Sequence, residues 1–140
     1  LDTDPEVRLH FPGGPMSPEQ ISQRLLDNRA CFDRNGFADF AVFELETGDF
    51  AGRAGFAPVD GDEVEVGYVL LRAFWGRGLA QESLRALLGW ARAHIDVPRI
   101  IAYAPTQHRA SLNVMNKAGM QFVERRVMRG VDCDFYEYRF

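Results

Sequence analysis

Residues 63–95 read EVEVGYVLLRAFWGRGLAQESLRALLGWARAHI, and this stretch decides the fold. Val64, Val66, Tyr68, Val69, Leu70 and Leu71 form the apolar and aromatic run of a buried strand, ended by Arg72-Ala73-Phe74-Trp75. From Ala80 the apolar residues recur at Leu84, Leu87, Leu88, Ala91 and Ile95, which is helical spacing, with Gln81, Arg85, Gly89 and Arg92 on another face. The seam between the two is Trp75-Gly76-Arg77-Gly78-Leu79-Ala80. A helix that begins near Gly78 has no Ser, Thr, Asp or Asn to accept from its first backbone N–H groups. Those free donors, the helix dipole, two glycines that permit close approach and the charge of Arg77 suit an anion such as a phosphate. A Gly-x-Gly also serves as a plain strand-to-helix turn, and the loop alone does not separate the two readings.

Two better-known phosphate loops do not fit. A P-loop needs a lysine and a hydroxyl residue after its second glycine, and the chain has neither there. A dinucleotide fingerprint needs Gly or Ala where Gln81 stands, and an acidic residue at the end of the next strand, where residues 99–103 run into Ala104-Pro105.

Trp75-x-x-Gly78-x-Ala80 resembles motif A of the GNAT acetyltransferase superfamily, [Gln/Arg]-x-x-Gly-x-[Gly/Ala], in the Trp-Gly-Arg-Gly-x-Ala form of its RimJ/RimL-type branch. A second block agrees in order and spacing. His108, Ser111, Val114, Lys117, Gly119 and Met120 are similar to that branch's Asn-x-x-Ser-x-x-Val-x-x-Lys-x-Gly-[Phe/Met] helix, with His108 in place of the usual Asn. The resemblance runs from about Asp4 to the C-terminus and is weakest at both ends.

The resemblance implies a co-substrate, acetyl-CoA, and no metal. It puts the pyrophosphate on the backbone N–H groups of Gly76, Arg77, Gly78, Leu79 and Ala80, and the pantetheine along Val69, Leu70 and Leu71. Arg72 either contacts phosphate or is a solvated strand-end arginine, and His108 and Ser111 flank the cofactor. For the chemistry, Glu65 stands where such enzymes often carry a carboxylate that takes the amine's proton through water. It is equally a residue of the polar face that an alternating strand shares with Glu63. The Leu70 N–H is the implied donor to the carbonyl oxygen, and Ser111 the implied proton donor to the thiol, or else a helix-start serine bonded to backbone. The acceptor is a primary amine, on a protein N-terminus or a small molecule. A reading from another class is a CoA-binding or sensing module without catalysis; a third, a structural domain with no phosphate ligand, requires both motifs to be accidental.

Length and composition are those of one globular domain, 140 residues with 46% hydrophobic. A net charge of −4 argues against a broad nucleic-acid surface. No apolar run is long enough for a membrane span and no signal peptide is visible. Cys31 and Cys133 lack metal-site spacing, which suits a reduced, cytoplasmic setting. The chain opens on Leu1 rather than Met, and the family pattern then leads us to expect the first strand and most of the first helix to be missing.

Along the rest of the chain, Gly13-Gly14-Pro15 is a breaker and Ser17-Pro18-Glu19-Gln20 a helix start. Ile21, Leu25, Leu26, Ala30 and Phe32 mark a packing face up to about residue 34. Strands are expected over 38–46 and 50–58, antiparallel to each other and to the quoted strand, then over 99–103, 122–128 and 135–140, with a helix over 109–118. That order gives an α+β fold, a mixed and mainly antiparallel sheet flanked by helices. Tyr103 is expected in the core, and His10 has no evident partner. The aromatic C-terminal strand reads as an exposed edge or a dimer contact, with the oligomeric state open. Specificity falls to the loops at 8–36 and 128–134.

Overall fold

In the computed structural model, which describes residues 1–140, the first regular element is α1, Pro18–Asn35. Its start is a reciprocal cap: the Gln20 N–H donates to the Ser17 hydroxyl at 3.2 Å, and the Ser17 N–H donates to the Gln20 side chain at 2.8 Å. It stops at Gly36, in the left-handed region at φ 75°. The apolar face expected at Ile21, Leu25, Leu26, Ala30 and Phe32 is not the one that docks. Leu25 and Leu26 are 61% and 66% exposed, and no residue of α1 is fully buried. The half-buried stripe is Ile21, Arg24, Asn28 and Cys31. Arg24 pairs with Asp39, while the Asn28 amide donates to the Asp39 carbonyl at 3.0 Å and accepts from the Asp39 N–H at 2.9 Å. Three polar contacts to one strand residue set the rotation of this helix against its apolar periodicity.

The strands are β1 Asp39–Phe43, β2 Phe50–Val59, β3 Glu63–Leu70, β4 Arg99–Pro105, β5 Gln121–Met128 and β6 Val131–Arg139. They form one sheet in the order β1-β2-β3-β4-β6-β5, antiparallel everywhere except between β3 and β4. β6, whose last residues read as an exposed edge or a dimer contact, lies inside the sheet, because β5 turns back along it and takes the edge itself. Two glycines let β2 sit close to its neighbours. A Cβ on Gly52 would come within 2.1 Å of the Val69 carbonyl oxygen, and one on Gly55 within 2.2 Å of that of Ala38.

Two further helices, α2 Leu79–His94 and α3 Arg109–Lys117, cover one face. The core forms there, with Leu84, Leu88 and Ala91 of α2 and Leu112 and Met115 of α3 against Phe56, Val64, Val66, Ile100, Ala102 and Tyr136 of the sheet. By strand register the opposite face carries Asp39, Arg53, Glu65, Tyr103 and Phe135. Residues 1–16 are tied to that face through Asp2, which meets Arg53 at 3.1 Å and Arg8 at 3.4 Å, while Arg53 also meets Asp39 at 3.0 Å. No helix is long and apolar enough to cross a membrane.

Candidate functional site

The parallel pair β3 and β4 meets at one bridge, Glu65 opposite Ile101, and parts beyond it. The Leu71 N–H donates to the Ala51 carbonyl at 2.8 Å. Alternation then turns the N–H and C=O groups of Leu70 and Tyr68 away from β2, into the gap between β3 and β4. One of these is already used: the Trp75 indole donates to the Leu70 carbonyl at 2.9 Å. The Leu70 N–H faces the gap. Val69 and Leu70 are buried and Leu71 is half-buried, so this strand end presents its backbone rather than its side chains.

At the end of β3 the chain makes a short 3-10 turn, Arg72–Phe74, which buries Phe74. Gly76 and Gly78 follow in the left-handed region, at φ 71° and 81°. Gly78 is the N-cap of α2 and provides no side-chain acceptor. None of the backbone N–H groups of residues 76–81 donates within the protein; the first to do so is that of Glu82, to the Gly78 carbonyl at 3.0 Å. A Cβ on either glycine would meet nothing within 4 Å, so the loop's surface is open. Both arginines expected to supply positive charge here have acidic partners. Arg77 pairs with Glu44 and stands 5.3 Å from the centre of the Phe74 ring, and Arg72 pairs with Glu6 at 3.0 Å. The loop's attraction for an anion therefore rests mainly on backbone dipoles.

On the other face, the two carboxylates of the alternating strand separate. Glu63 pairs with Arg99, whereas Glu65 is half-buried and makes no ion pair. Burial, and then the charge of Asp39, push Glu65 up to about 7, with Arg129 opposing. Tyr103 is not in the core. It shares this face with Glu65 and stacks on Phe135, ring centroids 4.8 Å apart. Burial raises its phenol, the Glu65 charge adds to that, and Arg129 again opposes. Arg129, at φ 50° in the tip of the β5–β6 hairpin, thus acts on both groups while making no ion pair. Nothing in the sequence marked Arg129 beyond its place in that hairpin.

Ser111 is buried in the first turn of α3. Its Oγ lies 2.9 Å from the Tyr68 phenol oxygen, which is also 3.1 Å from the Ser111 carbonyl oxygen. The hydroxyl is thus engaged by a side chain and not by the start of its own helix. Burial pushes Tyr68 up to about 12. His108, just before α3, stacks on His10 at a centroid distance of 4.0 Å. Burial, and then the charge of His10, bring His108 down to about 4, so it is neutral at neutral pH. Residues 1–16 consequently reach both sides of the gap, Glu6 at Arg72 beyond β3 and His10 at His108 ahead of α3. Sequence reasoning gave His10 no partner because the contact spans most of the chain.

No three His, Cys, Asp or Glu side chains are grouped to hold a metal ion. A family model for the acetyltransferase (GNAT) domain matches residues 1–121. YkkB, an uncharacterised protein of Bacillus subtilis, is 28% identical over 125 residues, which is 87% of this chain and 72% of YkkB. The structure of a GNAT-family acetyltransferase from Bacillus anthracis superposes with a TM-score of 0.83 at 22% identity, over 99% of this chain and 84% of that one. RimL, a ribosomal L7/L12 alpha-N-protein acetyltransferase solved with coenzyme A, superposes with a TM-score of 0.76 at 21% identity, over 89% of this chain and 74% of its own.

Proposed function

This chain belongs to the GNAT acetyltransferase family, and from that premise we propose direct transfer of acetyl from acetyl-CoA to a primary amine within a ternary complex. The family's enzymes are acyltransferases with acetyl-CoA as co-substrate. One observation carries the reading for this chain: the gap beyond the Glu65–Ile101 bridge leads to a loop whose N–H groups have no partner in the protein. The fit is good at both ends. Tyr68 and Leu70 turn backbone groups into the gap for a pantetheine, while Val69 and Leu71, expected to share that role, face β2 with theirs; Gly76, Arg77, Gly78, Leu79 and Ala80 offer N–H groups to a pyrophosphate. Arg72 and Arg77 add charge from ion pairs they already make, and His108 borders the site as a neutral imidazole.

In this reading Glu65 takes the proton of the incoming amine through water, and its rise to about 7 suits a base at neutral pH. The Leu70 N–H stabilises the carbonyl oxygen as it gains charge. Ser111 gives its proton to the departing thiolate. The Trp-Gly-Arg-Gly-x-Ala loop and the likeness to RimL support the RimJ/RimL-type branch, and with it a protein N-terminus as acceptor; a small-molecule amine fits the same chemistry. We place the chain in the cytoplasm, as one catalytic domain with both cysteines free, able to act alone or as a dimer.

Calorimetric titration of acetyl-CoA tests the first half and thiol release tests the second, over an amine panel of peptides with free N-termini, a polyamine and an aminosugar. We expect acetyl-CoA to bind, Gly78→Glu to abolish binding, and one acceptor class to turn over. A folded protein that gives no heat with acetyl-CoA would refute the cofactor site. Binding without turnover on any amine would assign a CoA-binding or sensing module instead.

A further inference from the structure

Ser111 has one side-chain neighbour for its hydroxyl, Tyr68, and the pair braces the gap where β3 and β4 part. Tyr68 leaves β3 on the face covered by α2 and α3, with its ring packed against the core and its oxygen at the first turn of α3. From there it reaches both Ser111 Oγ, at 2.9 Å, and the Ser111 carbonyl oxygen, at 3.1 Å. A phenol has one proton to donate, so there are two arrangements. In the first, Tyr68 donates to the carbonyl and the serine hydroxyl donates to the phenol oxygen, which spends the serine proton inside the protein. In the second, Tyr68 donates to Ser111 Oγ, and the serine proton is free to point into the gap. The first satisfies both contacts; the second leaves the 3.1 Å phenol–carbonyl contact without a proton, so the phenol proton swings from the carbonyl to Oγ to reach it. Only the second offers a proton to a thiolate leaving from that gap.

We propose that Tyr68 is a positioning residue for acetyl transfer: by donating to Ser111 Oγ it turns the serine proton toward the sulfur and stabilises the negative charge the serine oxygen gains as that proton departs. The proposal rests on Ser111 being the thiol's proton donor. The step balances with groups already named. The amine nitrogen bonds to the carbonyl carbon, the C–S bond breaks with its electron pair going to sulfur, and the Ser111 proton follows; the serine oxygen regains a proton from Tyr68 and the phenol regains one from water as product leaves, and Glu65 returns the amine's proton to water. Tyr68 is protonated when the step begins, in accord with a phenol pushed up to about 12 by burial.

The test compares Tyr68→Phe, Ser111→Ala and the double variant, using acetyl-CoA with the best acceptor of the amine panel, and coenzyme A alone as an acceptor-free probe. We expect Tyr68→Phe to lower kcat by about tenfold with KM for acetyl-CoA within about twofold, the size of one hydrogen bond. The double variant should be no slower than Ser111→Ala, since Tyr68 acts only through Ser111. Thiolate absorbance of bound coenzyme A should show a higher thiol pKa in both single variants. Independent, additive losses, or a raised KM with unchanged kcat, would overturn the proposal and leave Tyr68 a strut between β3 and α3. Slow Ser111→Ala with unimpaired Tyr68→Phe would overturn it alone, whereas unimpaired Ser111→Ala would also remove the donor role on which it rests. If Tyr68→Phe melts far below the parent, 3-fluorotyrosine at position 68 keeps the shape and strengthens the donor. A rise in kcat is then expected, and an unchanged kcat overturns the proposal.

Discussion

At Glu65 the protein withholds what it gives most of its other carboxylates near the sheet. Glu63 and Glu137 share Arg99, Glu44 has Arg77, and Asp39 has Arg24 and Arg53. Left unpaired and half-buried, Glu65 keeps its proton up to about 7. If it is the base, kcat/KM rises with pH through that region, and Glu65→Gln removes this limb along with about 10²–10⁴ in rate. Arg129→Ala should move the limb to higher pH, because Arg129 is the charge that lowers Glu65. The sign for stability is opposite to that of a paired carboxylate. The folded chain holds this proton more tightly than the unfolded one, so the contribution is present below the unfolded value of 4.5 and is lost as pH rises through about 7. Denaturant titrations across that interval should show stability falling in the parent and a flatter profile in Glu65→Gln. Alternation made the position of Glu65 legible in the sequence. Its difference from Glu63 was not, since that depends on Arg99 and on a burial that only the assembled sheet creates.

Elements whose signals are local came through well, while those settled by distant partners did not. The Ser17 cap, the Gly36 stop and the uncapped start of α2 are contacts within a few residues, and each is where the sequence put it. The docking face of α1 is different, because Asp39, outside the helix, overrides the apolar spacing. Asp39→Ala would leave Arg24 unpaired in a half-buried site beside Arg53, which keeps Asp2, and a loss of about 3 kcal/mol by denaturant melt is expected, with α1 loosened first. Strand order was equally beyond local reading: β6 could be recognised as a strand, but its place between β4 and β5 is a long-range pairing. In β2, Gly52→Ala sets a methyl group 2.1 Å from a backbone oxygen that cannot rotate aside. The cost should lie near the upper end of about 1–3 kcal/mol for overpacking, read as a lowered Tm.

For the whole molecule, the one parallel pairing is also the weakest seam of the sheet, a single bridge between a half made of β1, β2 and β3 and a half made of β4, β6 and β5. Motif and order made this fold legible, yet the extent of the gap and the reach of residues 1–16 across it had no local signature. A ligand that fills the gap binds only the folded chain. At one hundred times its Kd, acetyl-CoA should add about 2.7 kcal/mol of stability, and slow the exchange of the Tyr68 and Leu70 amides more than those of β2. The bridge can also be viewed as a fulcrum. Glu65 sits on it, so breathing of the two halves hardly displaces its carboxylate. Leu70 is five residues along the arm, about 16 Å away at strand rise. A swing of about 5° moves that tip by about 1.4 Å, more than the roughly 1 Å of misplacement that costs a reaction two orders of magnitude. With the roles proposed for Glu65 and Leu70, leverage of this kind would make proton removal tolerant of sheet motion and carbonyl polarisation intolerant of it, and it puts the Tyr68–Ser111 brace partway along the arm, where a tie restrains the swing.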